Sequence, residues 1–114
     1  MSHWTIYHNP RCSKSLEALA LLEAAGVKPK VIEYLKDPLS EKDLESLAAQ
    51  LTPSALVRSK EEAFKEKPFA LDSAETVARE LCRRPELLER PIVVKGGKAV
   101  IGRPPENVKK LGLP

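Results

Sequence analysis

The strongest topological signal lies in residues 4–34, which read WTIYHNPRCSKSLEALALLEAAGVKPKVIEY. The aromatic and β-branched run Trp4–His8 is typical of a strand, and an Asn-Pro pair ends it. Leu, Ala and Glu dominate from Ser13 to Ala25 at helical spacing, and Gly26 follows where a helix C-terminal glycine belongs. A second β-branched run, KVIEY, closes the segment. Strand, helix and strand in this order predict two parallel strands joined by a right-handed crossover.

The rest of the chain predicts a helical insertion, a β-hairpin and a last short helix. Apolar residues recur at helical spacing through much of residues 38–88. RPIVV (Arg90–Val94) and AVIG (Ala99–Gly102) flank a turn with two glycines, which is the pattern of a tight hairpin. Pro104-Pro105 then opens the last helix. We therefore expect one α/β domain, residues 1–114, with a mixed four-stranded sheet flanked by helices. This is a thioredoxin-like fold whose β-α-β and β-β-α halves are separated by the insertion.

The composition favours a globular protein that binds neither a nucleic acid nor a membrane. Apolar residues make up 42% of the chain and charged residues 31%. The net charge of +3 comes from 19 basic and 16 acidic residues that alternate along the chain, whereas nucleic-acid-binding proteins concentrate their positive charge. No apolar run approaches the roughly 20 residues of a membrane helix, and no secretory signal is evident. We therefore expect a cytoplasmic protein, and we take it to be a monomer.

Cys12 stands just before the predicted first helix, where two effects favour a thiolate. The first N–H groups of a helix lack helical partners, and the helix dipole adds partial positive charge. Thiols so placed can titrate well below their usual pKa of about 8.5. Arg11, Lys14 and His8 add charge or hydrogen bonds, and the Ser15 hydroxyl is spaced to donate to the sulfur. A lone cysteine can also be a small buried hydrophobe, but the strand–turn–helix setting favours a reactive thiol.

Cys82, which is 82 − 12 = 70 positions further along, is expected to be structural. It follows Val77, Ala78 and Leu81 on one predicted helix face, so we expect its side chain to point into the core. Cytosolic proteins keep their thiols reduced, and a thiol in apolar surroundings is a poor nucleophile. Cys12 is therefore predicted to act without Cys82 as a resolving partner.

Four separated motifs resemble the glutaredoxin-linked arsenate reductase family, namely IYHNPRCSKS, EYLKDPLS, ERPIVV and IGRPPE. The resemblance spans essentially the whole chain, and the combination of the four is specific. It implies that Cys12 is the nucleophile and that His8 and Ser15 lower its pKa. The arginines that bind the oxyanion in this family correspond to Arg58, in the less patterned ALVRSKEEAF, and to Arg90 and Arg103.

The resemblance implies a thiol oxidoreductase that reduces arsenate to arsenite in arsenic detoxification. Arsenate is a tetrahedral oxyanion, which the planar fork of arginine binds bidentately. The Cys12 thiolate would attack it, glutathione as co-substrate would attack the adduct, and glutaredoxin would restore the thiol. No metal or bound organic cofactor is implied. In this fold a cis-proline opens the third strand beside the cysteine, and Pro91 in that position would place Arg90 at the edge of the site.

Two other functions fit the same fold. The first is a regulatory module of the Spx-like branch, which contacts RNA polymerase and in many members carries a Cys-x-x-Cys switch. The corresponding stretch is Cys12-Ser13-Lys14-Ser15, without a second thiol, and the two motif arginines favour the enzyme. The second is a thiol oxidoreductase that acts on another substrate.

Overall fold

The computed structural model describes residues 3–114, which form two compact units. The first unit consists of two segments, residues 3–37 and Arg90–Pro114. The second unit is the segment between them, Pro38–Glu89. The second unit covers the segment in which the sequence predicts a helical insertion. Within residues 3–114, no helix is long and apolar enough to span a membrane.

The first unit is built on a mixed four-stranded sheet. Its elements are strand β1 (Trp4–His8), helix α1 (Ser13–Ala24), strands β2 (Lys30–Glu33), β3 (Ile92–Lys95) and β4 (Lys98–Ile101), and a C-terminal 3₁₀ helix (Pro105–Leu111). The strand order is β2-β1-β3-β4, in which β1 pairs parallel with β2 and antiparallel with β3. Strand β4 returns antiparallel to β3. The predicted thioredoxin-like fold class is therefore confirmed.

Helix α1 ends one residue earlier than predicted, and Gly26 is the residue that ends it. Its φ of +82° lies in the left-handed region, which costs glycine little. The N–H of Gly26 donates to the carbonyl of Glu23 at 3.0 Å, and the N–H of Val27 donates to that of Leu22 at 2.9 Å. These two bonds satisfy carbonyls that the helix leaves open, as in a Schellman motif. The chain is thereby turned toward β2.

The core of the first unit lies between the sheet, helix α1 and the C-terminal 3₁₀ helix. Its buried members are Ile6, Ala18, Leu22, Val27, Val93, Val108 and Leu111. They come from β1 and β3, from both helices and, in the case of Val27, from the loop between α1 and β2. Burying apolar side chains contributes roughly 25 cal/mol per Å² of surface, so this cluster fixes both helices on the sheet. The first turn of α1 is therefore held at the carboxyl end of β1.

The hairpin predicted from the two glycines is present. Lys95 pairs with Lys98, which leaves a two-residue turn of Gly96 and Gly97. Gly96 has a φ of +61°, a conformation that other residues adopt at a cost. The turn brings the end of β4 back beside the beginning of β3.

Gly102 packs directly against Pro91 where β4 ends. Its N–H donates to the Pro91 carbonyl at 2.8 Å, and a Cβ added at position 102 would lie 2.8 Å from Pro91 Cγ. Any larger residue at 102 would push these two segments apart. The Arg90–Pro91 and Arg103–Pro104 peptide bonds are both cis, the first at the position predicted for a cis-proline.

The second unit is helical. Its elements are helices α2 (Glu41–Leu51), α3 (Glu62–Glu66) and α4 (Ala74–Arg83), with 3₁₀ turns at Ser54–Leu56 and Pro85–Leu87. The Ser40 hydroxyl accepts a hydrogen bond from the N–H of Asp43 at 3.1 Å and so caps α2. The Ser73 hydroxyl accepts one from the N–H of Thr76 at 3.2 Å and caps α4 in the same way. Helices α2 and α4 pack on each other through their apolar faces.

Cys82 is exposed, so its predicted place in the core is wrong. The buried residues of α4 are Val77, Ala78 and Leu81. Successive residues of an α-helix are rotated by about 100°, which puts position 82 at the border of that stripe. Helix α4 ends at Arg83, one residue after Cys82. The thiol therefore faces outward from the last turn of the helix.

Candidate active site

The loop between β1 and α1 places Cys12 at the N-cap position of the helix. The N–H of Cys12 donates to the carbonyl of Asn9, and the carbonyl of Cys12 accepts from the N–H of Leu16, both at 3.0 Å. The Asn9 side chain accepts a hydrogen bond from the N–H of Arg11 at 2.9 Å. These bonds form a tight turn whose conformation leaves the cysteine sulfur over the first turn of α1.

Opposing effects act on the pKa of the Cys12 thiol, and the balance lowers it. Burial is the largest single effect and raises the pKa, since only 9% of the residue is exposed. The N–H of Ser15, the positive charge of Arg90, the N–H of Lys14 and a hydrogen bond from the Arg90 side chain all lower it. Together they outweigh burial, so the pKa lies below that of an ordinary cysteine. The structure thus favours the nucleophilic thiolate.

Two arginines converge on the Cys12 sulfur. Nη1 of Arg103 donates to Sγ at 3.7 Å and to the backbone carbonyl of Arg90 at 3.2 Å. The side chain of Arg90 also donates to the sulfur. The first unit therefore brings Cys12, Arg90 and Arg103 together, although they come from distant parts of the chain.

The Ser15 hydroxyl has different partners from the predicted one. Ser15 is fully buried, and its oxygen lies 2.6 Å from Nδ1 of His8 and accepts a hydrogen bond from the N–H of Asn9 at 3.0 Å. The group of Ser15 that lowers the pKa of the Cys12 thiol is its backbone N–H. The side chain thus ties the first turn of α1 to the end of β1, while the backbone acts on the thiol.

His8 is buried at the carboxyl end of β1, with 5% of its surface exposed. Burial lowers the pKa of its imidazole and the nearby Glu33 carboxylate raises it, with burial the larger effect. The net pKa lies below the usual value of about 6.5, so the ring is neutral at pH 7. Its contact with Ser15 is therefore a hydrogen bond between neutral groups.

Lys14, predicted as a nearby positive charge, contributes through its backbone instead. Its ammonium group lies 3.6 Å from the carboxylate of Glu17, whereas its backbone N–H lowers the pKa of the Cys12 thiol. The side chain of Arg11 is exposed. The guanidinium groups that contact the sulfur are thus contributed by the hairpin half of the unit.

Arg58, the third predicted arginine, belongs to the second unit. Its Nη2 forms an ion pair with the Glu61 carboxylate, and its Nη1 donates to the backbone carbonyl of Glu86 at 3.1 Å. The side chain is 21% exposed. These contacts anchor the segment after the Ser54–Leu56 turn, and a role for Arg58 in binding an anion stays a prediction.

The site has the parts needed for nucleophilic attack on an anion. The sulfur is the candidate nucleophile, and two guanidinium groups and two backbone N–H groups supply positive potential around it. Among residues 3–114, no cluster of three or more His, Cys, Asp or Glu residues is placed to hold a metal ion.

Asn9 lies in the motif IYHNPRCSKS, but the sequence analysis assigned it no role. An Asn before Pro in a strand-to-helix turn is the signal, because Asn side chains readily bond backbone N–H groups two residues on.

Fold and site together define a thioredoxin-like protein with a cysteine at the N-cap of its first helix. The ArsC family model matches residues 7–111, which is most of the chain. The chain is 45% identical to the uncharacterized protein YfgD of Escherichia coli, with 93% of each chain covered. It is 42% identical to an arsenate reductase of Haemophilus influenzae, over 93% of this chain and 96% of that one. The chain belongs to the ArsC family.

A solved structure of similar sequence has the same fold. The arsenate reductase from Vibrio cholerae superimposes with a TM-score of 0.84 at 43% identity. The match covers 95% of this chain and 96% of that one. The similarity therefore extends over both units.

Proposed function

We propose that this protein is an arsenate reductase in which the Cys12 thiolate is the nucleophile and Arg90 and Arg103 bind the oxyanion. The observation that carries this proposal is the convergence of both arginine side chains on the Cys12 sulfur. Relatives at 42% identity that are named arsenate reductase support the choice of substrate. Arginine suits it because its planar fork can donate two hydrogen bonds to a tetrahedral oxyanion.

The reaction begins when the Cys12 thiolate attacks arsenic. A sulfur–arsenic bond forms, and an arsenate oxygen leaves as water after taking up protons. The guanidinium groups and the N–H groups of Lys14 and Ser15 stabilise the negative charge on the oxygens that remain. Arsenic is still As(V) in this adduct, so the step needs no reductant.

Reduction follows when a glutathione thiolate attacks the sulfur of the adduct. The electron pair of the sulfur–arsenic bond passes to arsenic, which leaves as arsenite, As(III). A mixed disulfide between Cys12 and glutathione remains. Glutaredoxin and a second glutathione reduce it and restore the thiol. Two thiols are oxidised to one disulfide for each arsenate, which balances the two electrons.

His8 and Ser15 act on this chemistry by holding the loop. The buried pair His8–Ser15 and the Asn9 N–H fix the first turn of α1, so that the Ser15 N–H keeps its place and lowers the pKa of the Cys12 thiol. A neutral imidazole suits this role, because it bonds to the Ser15 hydroxyl and carries no charge that would compete with the arginines for the oxyanion. The reducing cytoplasm, where thiols persist, is the compartment we propose for the enzyme.

A coupled assay tests the proposal. Purified protein is mixed with arsenate, glutathione, glutaredoxin, its reductase and NADPH, and NADPH oxidation is followed. We expect oxidation that depends on arsenate, on glutathione and on Cys12. Cys12→Ser should abolish it, and Cys82→Ser is the matched control because Cys82 is exposed on the second unit. Wild-type protein without arsenate-dependent turnover, or an active Cys12→Ser variant, would refute the proposal.

A further inference from the structure

Asn107 spans the carbonyls on either side of Gly102, in the loop that carries Arg103. Its side-chain nitrogen donates to the carbonyl of Ile101 and to that of Arg103, each at 3.1 Å. Carbonyl oxygens only accept hydrogen bonds, so the two positions require a group with two N–H donors. A carboxamide at this position supplies both.

The two clamped carbonyls border a segment that is already held on its other side. Gly102, between them, donates to the Pro91 carbonyl at 2.8 Å and leaves no room for a Cβ against the Pro91 ring. The segment is thus fixed between Pro91 and the amide of Asn107. The backbone of Arg103 follows directly, so its position depends on both contacts.

The C-terminal 3₁₀ helix gives Asn107 a rigid base. The next residue, Val108, is fully buried, and Leu111 belongs to the same core cluster. The N–H of Asn107 donates to the Pro104 carbonyl at 3.0 Å. Core packing therefore determines where the Asn107 amide lies. The amide in turn determines where the carbonyls of Ile101 and Arg103 lie.

We infer that Asn107 is a positioning residue for oxyanion binding, because its amide holds the backbone from which Arg103 reaches the Cys12 sulfur and the Arg90 carbonyl. The inference rests on the proposed function, in which Arg103 contacts the oxyanion. Asn107 itself touches neither the sulfur nor the substrate. Its effect is to reduce the freedom of the arginine before the anion arrives, so that less entropy is lost on binding.

The test uses two substitutions. Asn107→Leu keeps the shape of the side chain and removes both donors. Asn107→Asp keeps the size but places oxygens against two carbonyls. We expect the arsenate KM to rise about two- to tenfold in both, as for a net hydrogen-bond loss, with the larger rise in Asn107→Asp. The KM for glutathione should stay unchanged. Lys109→Ala, an exposed change in the same 3₁₀ helix, is the control and should leave both constants at the wild-type value.

A second readout needs no turnover. Bound arsenate should protect Cys12 from iodoacetamide, and the arsenate concentration for half-protection should rise by the same factor in the two variants. In an Arg103→Ala background, Asn107→Leu should raise that concentration no further, because the arginine it positions is gone. Thermal unfolding of each variant shows whether it remains folded.

The outcomes separate the two proposals. Wild-type turnover with unchanged half-protection in both Asn107 variants would overturn this inference and leave the reductase standing. Additive losses in the double variant would also overturn it, since they would indicate a general structural effect. Wild-type protein with neither protection nor turnover would overturn the proposed function and this inference with it.

Discussion

The guanidinium of Arg103 lies 3.7 Å from the sulfur of Cys12, although 91 positions separate the two residues. The sheet order explains the approach, because β3 pairs with β1 and β4 with β3. The end of β4 therefore returns toward the β1–α1 turn where the cysteine lies. Arg90 precedes β3 and reaches the same sulfur. The thiol and the two arginines thus come together only when the hairpin half of the chain folds onto the first half.

The acidity of Cys12 is the first property to measure. We expect its alkylation rate to rise with pH around an inflection below about 8.5, the pKa of a free cysteine. The reason is that helix N–H groups and Arg90 outweigh the effect of burial on the pKa of the thiol. Iodoacetamide rates should be measured in Cys82→Ser, so that Cys12 is the only thiol. An inflection at or above that of a free cysteine would contradict the site described here.

Removing either arginine should weaken oxyanion binding. Arg90→Ala and Arg103→Ala should each raise the arsenate KM and lower kcat/KM by roughly ten- to a hundredfold, the scale of a charge-assisted hydrogen bond. Lysine at either position should rescue poorly, because it lacks the bidentate fork. Steady-state kinetics measure both effects. Wild-type constants in both Ala variants would remove these arginines from the site.

The lowered pKa of Cys12 also predicts how stability depends on pH. Below the folded-state pKa the thiol is protonated in both states and contributes nothing. Above it the folded protein loses the proton first, so the unfolded state binds more protons and stability rises with pH. The contribution is complete above the unfolded-state pKa of about 8.5. It is lost again as the pH falls through the folded-state pKa.

Urea denaturation of wild type and Cys12→Ser, under reducing conditions between about pH 5 and about pH 9, checks this sign. The difference in the free energy of unfolding, wild type minus variant, should grow with rising pH. A difference that is constant or that shrinks would mean that the thiolate is not stabilised in the folded state.

Patterns close together in the sequence predicted the first half of the structure well. The β1–α1–β2 order follows from residues within one stretch, and Gly26 ended the helix as expected. Local physics also placed Cys12 at a helix N-terminus. It could not bring Arg90 and Arg103 to the sulfur, because that proximity depends on pairing between distant strands. Only the resemblance to a family pointed to those two residues.

The errors fall where the direction of one side chain matters. The Ser15 hydroxyl was predicted to face the sulfur, but spacing alone cannot tell a side-chain donor from a backbone donor on the same turn. The Ser15 hydroxyl forms its hydrogen bonds with the buried imidazole of His8 and the N–H of Asn9 instead. Cys82 lies at the border of an apolar stripe, where a rotation of a fraction of a turn decides between core and solvent.

The ion pair between Arg58 and Glu61 makes the third arginine testable. If Arg58 also binds the oxyanion, Glu61 competes with the substrate for its guanidinium. Glu61→Gln should then lower the arsenate KM modestly, by about two- to fivefold, the scale of a partly exposed ion pair. Arg58→Ala should raise it. Kinetics of the two variants, with Glu62→Gln as the control, decide the matter: an unchanged KM in both Arg58→Ala and Glu61→Gln would confine Arg58 to a structural role in the second unit.

Because Cys82 is exposed, burial no longer explains why Cys12 should act without it as a resolving partner. Whether Cys82 takes part in turnover can be tested by substitution. Cys82 lies on the last turn of α4 in the second unit, and its thiol is free. Cys82→Ser should keep most of the activity. Because the side chain is exposed, the free energy of unfolding should change by only about 0.5 kcal/mol.

Mass spectrometry of protein trapped during turnover identifies the resolving thiol. We expect an adduct between Cys12 and glutathione, since glutathione supplies the second thiol in the proposed mechanism. An accessible Cys82 can itself form an adduct with oxidised glutathione, so the peptide that carries the modification must be assigned. Cys82→Ser should still accumulate the Cys12 adduct when glutaredoxin is omitted. A Cys12–Cys82 disulfide that forms during turnover, together with loss of activity in Cys82→Ser, would mean that the chain resolves its own adduct and needs no external thiol for that step.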